Sequence, residues 1–173
     1  MSLFAPGAAA HHAPGSVDEM AELYRELDAG GTTTVVIGGG NHLGIGNPVL
    51  ADVSVATNGL DAVIDHQPDD LTLTVEAGVT IGTIDELVRP HRQTPALPET
   101  EPDATIGGVV AAGVSGFRRN RFGPTRDRVL EVTVVTGDGR VVTGGARVVK
   151  NVSGYDLPRL ATGSFGALGV IVS

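Results

Sequence analysis

Four glycine-rich segments carry the residues that could do chemistry. The first is Gly38-Gly39-Gly40-Asn41-His42, placed directly after a β-branched run. Successive glycines let backbone N–H groups converge on one concavity that accepts phosphate oxygens. The second is Thr105-Ile106-Gly107-Gly108, continuing through Ala111 and Ala112 to Gly113, Ser115 and Gly116. Small residues there make a thin wall for a flat ring, with the Thr105 and Ser115 hydroxyls as hydrogen-bond partners. The third holds five arginines, Arg118, Arg119, Arg121, Arg126 and Arg128, in an otherwise acidic chain. The fourth runs from Lys150 to Asp156 and on through Gly163, Gly166 and Gly169.

Each segment also has a plain structural explanation. Gly38 to Gly40 suits a flexible loop as well as a phosphate cradle. It is not a P-loop, since no Gly-Lys-Ser/Thr follows, and it misses the dinucleotide fingerprint because the third glycine falls late, at Gly44. Thr105 to Gly108 suits a tightly packed helix start. The arginines suit a solvated loop paired to carboxylates, an anionic substrate or an acidic partner. Asp156 suits a helix cap. His11, His12, His42, His66 and His91 have no metal-ligand spacing; His11 and His12 are expected in a loose end, and no metal site is expected.

The elements that must position these residues are legible from periodicity. Residues 1–15 are rich in Ala, Gly, Pro and His and are expected to be loosely ordered. Ser16 and Glu19 form a capping-box pair. Met20, Leu23, Tyr24 and Leu27 recur at helical spacing, and Gly30-Gly31 stops that helix. Thr32 to Ile37 reads as a buried strand, and 53–56 and 62–65 as two short ones. Leu71, Leu73 and Val75 alternate with polar residues, predicting a half-buried strand. Residues 81–89 predict a short helix. Residues 94–128 predict an ordered, ligand-lining segment with a short helix inside it. Leu130 to Thr143 predicts a hairpin turning on Gly137-Asp138-Gly139. Val148 to Lys150, 156–161 and a strand from Leu168 complete the chain. This is an α+β pattern: a flexible N-terminus at 1–15, a small α/β lobe over 16–65, and a second lobe over 66–173 with a mainly antiparallel sheet.

Composition narrows the function classes. The chain has 173 residues, a net charge of -8 and no cysteine. Nucleic-acid binding is disfavoured by that charge, and thiolate metal sites and disulfides are excluded. No apolar run is long enough to span a bilayer, and the N-terminus lacks a secretory pattern. A cytoplasmic protein is expected.

The segments occur in a telling order: the strand with Gly38 to Gly40, LTLTVEAG at 71–78, TIGG at 105–108, Arg121-Phe122-Gly123 with Arg126-Asp127, the valine-rich hairpin, and Gly163-Ser164-x-Gly166 closing on Leu168 to Ile171. This order resembles the FAD domain of the p-cresol methylhydroxylase/vanillyl-alcohol oxidase (PCMH-type) superfamily. Within it, residues 147–171 resemble the FAD-binding subunit of bacterial glycolate oxidases.

The resemblance implies FAD gripped between two lobes. It places the pyrophosphate at Gly38, Gly39, Gly40, Asn41 and His42. It places Thr105, Ile106, Gly107, Gly108, Ala112, Ser115 and Gly116 along the ribityl and isoalloxazine side, and adds Pro98 and Ile171 as cofactor contacts. It implies oxidation of a small 2-hydroxy acid, such as glycolate or lactate, with hydride passing to flavin N5. It also implies partners: a second flavin subunit and an iron–sulfur subunit. Some relatives attach FAD through a histidine that aligns with Asn41, so non-covalent FAD is expected. The substrate-binding cap of the family is expected to be absent, so no catalytic residue is named. A non-catalytic accessory domain that assembles with partner subunits is the alternative. A flavin reductase of cell-wall precursor synthesis is a third reading, which the 150–171 stretch speaks against.

Overall fold

The computed structural model describes residues 8, 10–45, 47, 49–147 and 154–173. The strand expected at Val148 to Lys150 and the Lys150 to Ser153 part of the fourth segment lie outside them.

Helix α1 (Val17–Ala29) begins as its sequence dictates. The Ser16 side chain accepts from the Glu19 N–H at 3.1 Å. The Glu19 carboxylate reaches back one residue further than expected, accepting from the N–H of Gly15 at 2.8 Å. Met20, Ala21 and Tyr24 are its buried face. Strand β1 (Ala10–His12) corrects the expectation of a loose N-terminus over these residues. It pairs in parallel with β3 (Val53–Ala56), and β2 (Thr34–Ile37) pairs in parallel on the other side of β3. His11 is fixed there, its ring Nδ1 2.6 Å from Ser54 Oγ. Alternation could not reveal this strand, because three residues are too few to show a period; the ladder offered by β3 recruits them.

Strands β4 (Val63–Gln67) and β5 (Thr72–Val75) form an antiparallel pair. Leu71 is a second correction: its φ is 57° and it is 76% exposed. It belongs to the turn that enters β5 rather than to the strand. Helix α2 (Ile81–Val88) is capped by Thr80, and Pro90 sits in the 3₁₀ turn that follows. Helix α3 (Ile106–Ala112) is the short helix expected within 94–128; a single turn, α4 (Arg119–Phe122), follows. Strand β6 (Glu131–Val135) pairs antiparallel with β7 (Val141–Gly145) and with β8 (Val170–Ile171). Helix α5 (Leu157–Ala161) is capped by Asp156, whose carboxylate accepts from the Arg159 N–H at 3.1 Å. The fold is α+β, with one parallel and two antiparallel sheets among the described residues.

Among the described residues, three apolar clusters hold these elements together. In the first, Met20, Tyr24, Val55 and Leu60 pack with Val135, Val170 and Val172, joining α1 and the parallel sheet to the C-terminal strand. The second unites Val75, Val79, Ile84 and Val88 with Val109. The third unites Val110 with Val132, Val134, Ala161 and Ile171. Adjacent residues of α3, Val109 and Val110, thus anchor different clusters, and Ile106 packs against both. Burial of this kind is worth about 1.5–3 kcal/mol per large aliphatic side chain, so α3 is held firmly although it is only 7 residues long.

Candidate functional site

The parallel strands β2 and β3 must be joined by a crossover, and the glycine loop is the start of that connection. It leaves β2 at Ile37 and is pulled toward α3 by a single hydroxyl. Thr105 is the N-cap of α3 and is buried. Its Oγ1 accepts from the N–H of Gly39 at 3.2 Å and from the N–H of Gly108 at 3.3 Å. The approach requires glycine. A Cβ on Gly38 would overlap Thr105 Oγ1, and one on Gly39 would stand 2.6 Å from the Asp103 carbonyl oxygen. The Asn41 side chain donates to Asp103 Oδ1 at 3.2 Å, tying the loop a second time.

The first turn of α3 has no spare donors for a ligand. The Ile106 N–H donates to Val79 O, that of Gly107 to Ala77 O, and that of Gly108 to Thr105 Oγ1. Gly107 lies so close to Ala77 that a Cβ would meet its Cβ at 2.7 Å. This end of α3 is therefore a bare wall, consistent with a tightly packed helix start. By contrast, the N–H groups of Gly40, Asn41 and His42 find no acceptor among the described residues. Gly40 has a φ of 77°, a left-handed conformation that glycine adopts without steric cost.

The other end of α3 holds the opposite lip. Its C-terminal carbonyls accept from the turn after α5: Gly163 N–H to Val110 O at 3.0 Å, and Phe165 N–H to Ala111 O at 2.9 Å. Gly113, with a φ of 65°, allows this contact; a Cβ there would meet Gly163 Cα at 3.1 Å.

Between the two lies a cleft of about 700 Å³. Ligand cavities commonly run from about 300 to 1,000 Å³. Gly38, Gly39, Gly40, Asn41, His42, Thr105, Gly107, Gly108, Ala112 and Ile171 of the expected residues line it. Pro98, Ile106, Ser115 and Gly116 stand elsewhere. Ile106 packs between two apolar clusters. Ser115 Oγ donates to Gly113 O at 3.4 Å. Gly116 abuts Pro98, to whose Cβ an added Cβ would come within 3.2 Å.

The cleft also has lining that sequence reasoning did not name: Val35 and Val36 of β2, Leu43, Ile45, Thr57 and Phe165 among them. Burial of the flanking strands hides these positions, since β-branched runs read as core whichever side they face. No carboxylate side chain is among the lining residues. Apolar walls, bare backbone and a run of N–H donors without an acceptor among the described residues fit a flat ring carrying a phosphate anion. The residues present therefore fit FAD: the 40–42 N–H groups would hold its phosphates, and the walls its rings.

The arginine segment is partly accounted for by pairing. Arg118 binds Glu99 at 3.2 Å and donates to Pro95 O at 3.3 Å. Arg126 lies 3.9 Å from Asp127, which also takes Arg159 at 3.1 Å. Arg119, Arg121 and Arg128 pair with no carboxylate among the described residues. Arg121 instead stands 5.4 Å from the centre of the Phe122 ring, a cation–π distance. Among the described residues, no helix is long and apolar enough to cross a membrane.

Comparison with known proteins agrees with the geometry. Residues 8–145 match the family model described as "FAD binding domain". The chain is 35% identical over 144 residues to "Glycolate oxidase subunit GlcE" of Escherichia coli K12, covering 81% of this chain and 40% of that protein. It is 34% identical over 162 residues to "D-2-hydroxyglutarate dehydrogenase" of Xanthomonas citri pv. viticola, covering 92% of this chain and 34% of that one. The chain thus spans well under half the length of either relative. Among solved structures, an "alkyldihydroxyacetonephosphate synthase" superposes with a TM-score of 0.73 at 20% identity, over 92% of this chain and 28% of that one, which speaks to the fold. With the family model covering most of the sequence, this chain belongs to the FAD-binding domains of the PCMH type, and FAD is its cofactor.

Proposed function

We propose that this chain is the flavin-carrying part of an oxidoreductase that oxidises a small 2-hydroxy acid, such as glycolate or lactate, by hydride transfer to flavin N5. The observation that carries this reading is the cleft bounded by the glycine loop, α3 and the turn after α5, with N–H donors at Gly40, Asn41 and His42 and no lining carboxylate among the described residues. The names of the two relatives support the substrate class, since glycolate and 2-hydroxyglutarate are both 2-hydroxy carboxylates.

Bound flavin would supply the redox chemistry, and the protein orientation and electrostatics. The loop N–H groups would hold its anionic end and the apolar walls would shield its rings from water, while Thr105 fixes the loop against α3. The parts of the chain before and after strand β4 would each give one side of the grip. FAD would be held without a covalent bond, since the family resemblance aligns Asn41 rather than a histidine with the linking position. The chain works beside partner subunits, a second flavin subunit and an iron–sulfur subunit. The word "subunit" in the name of the glycolate oxidase relative supports a multi-subunit assembly.

Anaerobic addition of glycolate or D-lactate to the yellow protein, assembled with its partners, tests the activity. Bleaching of the flavin band is expected. A flavin band unchanged by every 2-hydroxy acid tried would refute it. Acid precipitation tests the linkage: yellow supernatant is expected, and colour retained in the pellet would contradict it.

A further inference from the structure

Phe117 and the arginines after it form a surface that the cleft does not use. Phe117 is 90% exposed. Arg119, Arg121 and Arg128 are exposed too, and pair with no carboxylate among the described residues. None of the four lines the cleft. Acceptors are abundant, since the chain carries 20 Asp and Glu against 12 Lys and Arg. Arg118, Arg126 and Arg159 have found them. Like charges grouped on one short segment repel one another unless something opposite faces them.

The segment is held in place. Arg118 binds Glu99 at 3.2 Å and donates to Pro95 O at 3.3 Å. The turn of α4 closes with Gly123 N–H on Arg119 O at 2.9 Å. Buried Thr125 donates its hydroxyl to Val114 O. Ordering this backbone beforehand lowers the entropy that a partner's binding would cost.

The residue types select the partner. Aromatic residues and arginine are enriched at protein interfaces and lysine is depleted there; residues 117–128 contain no lysine. Guanidinium groups pair with carboxylates through two parallel hydrogen bonds. A nucleic acid would extend past this patch onto the surface of a chain whose net charge is -8, where its phosphates are repelled. A compact acidic face meets the patch without that penalty.

We propose that Phe117, Arg119, Arg121 and Arg128 form the docking face for an acidic protein, whose carboxylates pair with the arginines beside an apolar contact on Phe117. The proposal goes beyond the cleft and stands independently of what the cleft binds.

The test measures fluorescence anisotropy of a labelled peptide repeating Glu-Glu-Leu as the full chain is added. Peptides repeating Gln-Gln-Leu and Glu-Glu-Ser are the controls. The Glu-Glu-Leu peptide is expected to bind, more weakly as salt rises, and the Gln-Gln-Leu peptide not to bind. Joint Arg119→Gln and Arg128→Gln substitution is expected to weaken binding about tenfold. Arg119→Lys with Arg128→Lys restores part of it. Arg25→Gln with Arg140→Gln makes the same change in charge elsewhere and stays near wild type. Phe117→Ser gives an independent reading: it weakens the Glu-Glu-Leu peptide and leaves the Glu-Glu-Ser peptide unchanged. Thermal melting is expected to show every variant folded. Absence of binding, or equal weakening by the two glutamine pairs, overturns the proposal. So does tighter binding of single-stranded DNA or phosphatidylglycerol vesicles than of the acidic peptide. Self-association of the wild type that Arg119→Gln with Arg128→Gln abolishes also overturns it, because the occupant would then be a second copy of this chain.

Discussion

The buried Thr105 hydroxyl accepts the backbone N–H of Gly39 at 3.2 Å, joining residues 66 apart in sequence. It also accepts from Gly108 at 3.3 Å, so one oxygen caps α3 and positions the glycine loop.

Replacing Thr105 by Val keeps the shape and removes the oxygen. Two N–H groups then lose their acceptor, each at a cost of about 1–3 kcal/mol if it stays buried. Urea unfolding of Thr105→Val is expected to show a loss of about 1–3 kcal/mol for each N–H that stays buried, with weaker FAD binding. Thr105→Ser retains the oxygen and stays close to wild type. Equal stability of the valine variant would show that the clasp contributes nothing.

Gly39 and Gly44 lie in one connection but tolerate substitution differently. A Cβ on Gly39 meets backbone atoms of Asp103 and Ala104 at 2.6 and 3.1 Å, whereas a Cβ on Gly44 meets nothing within 4 Å. Backbone cannot yield as a side-chain tip can, so Gly39→Ala is expected to cost about 1–3 kcal/mol. Gly44→Ala is expected within about 0.5 kcal/mol of wild type. Denaturant melts of the two variants check this, and equal losses would contradict it.

Asp52 clamps the entry of the parallel sheet. Its Oδ2 accepts from the Thr33 hydroxyl at 2.7 Å and from the Thr33 N–H at 2.9 Å. These bonds, the hydroxyl first, hold its carboxyl below the usual aspartate range. A carboxylate with a lowered folded pKa stabilises the fold above its unfolded pKa and loses that contribution as pH falls through the folded value. Asp52→Asn should therefore lower Tm at pH 7, and the gap to wild type should close on acidification below the normal aspartate range. A gap that is constant with pH would show that the charge is irrelevant.

Much of this was legible in the residues because the signals are local. Ser16 and Glu19 announce α1, and Asp-Gly at 138–139 announces the β6–β7 hairpin, where Gly139 has a φ of 75°. Thr105 was legible as a hydroxyl beside the wall, but its bond to Gly39 was not. That contact depends on α3 being held between two clusters through Val109 and Val110, which is tertiary information. Phe165 was hidden for a related reason. Within Gly-Ser-Phe-Gly an aromatic reads as core, and only its φ and exposure show otherwise. Strand β1 was hidden because its order is imposed by β3 rather than by any pattern of its own.

The central claim is that FAD lies in the cleft bounded by the glycine loop, α3 and the turn after α5. Titration of apo-protein with FAD, for wild type and Gly38→Ala, tests it most directly. The added methyl would overlap Thr105 Oγ1 and force the loop off the helix. Wild type is expected to take up one FAD per chain, and a folded Gly38→Ala protein to bind it at least about tenfold more weakly. Unchanged affinity in a folded Gly38→Ala protein would contradict the account.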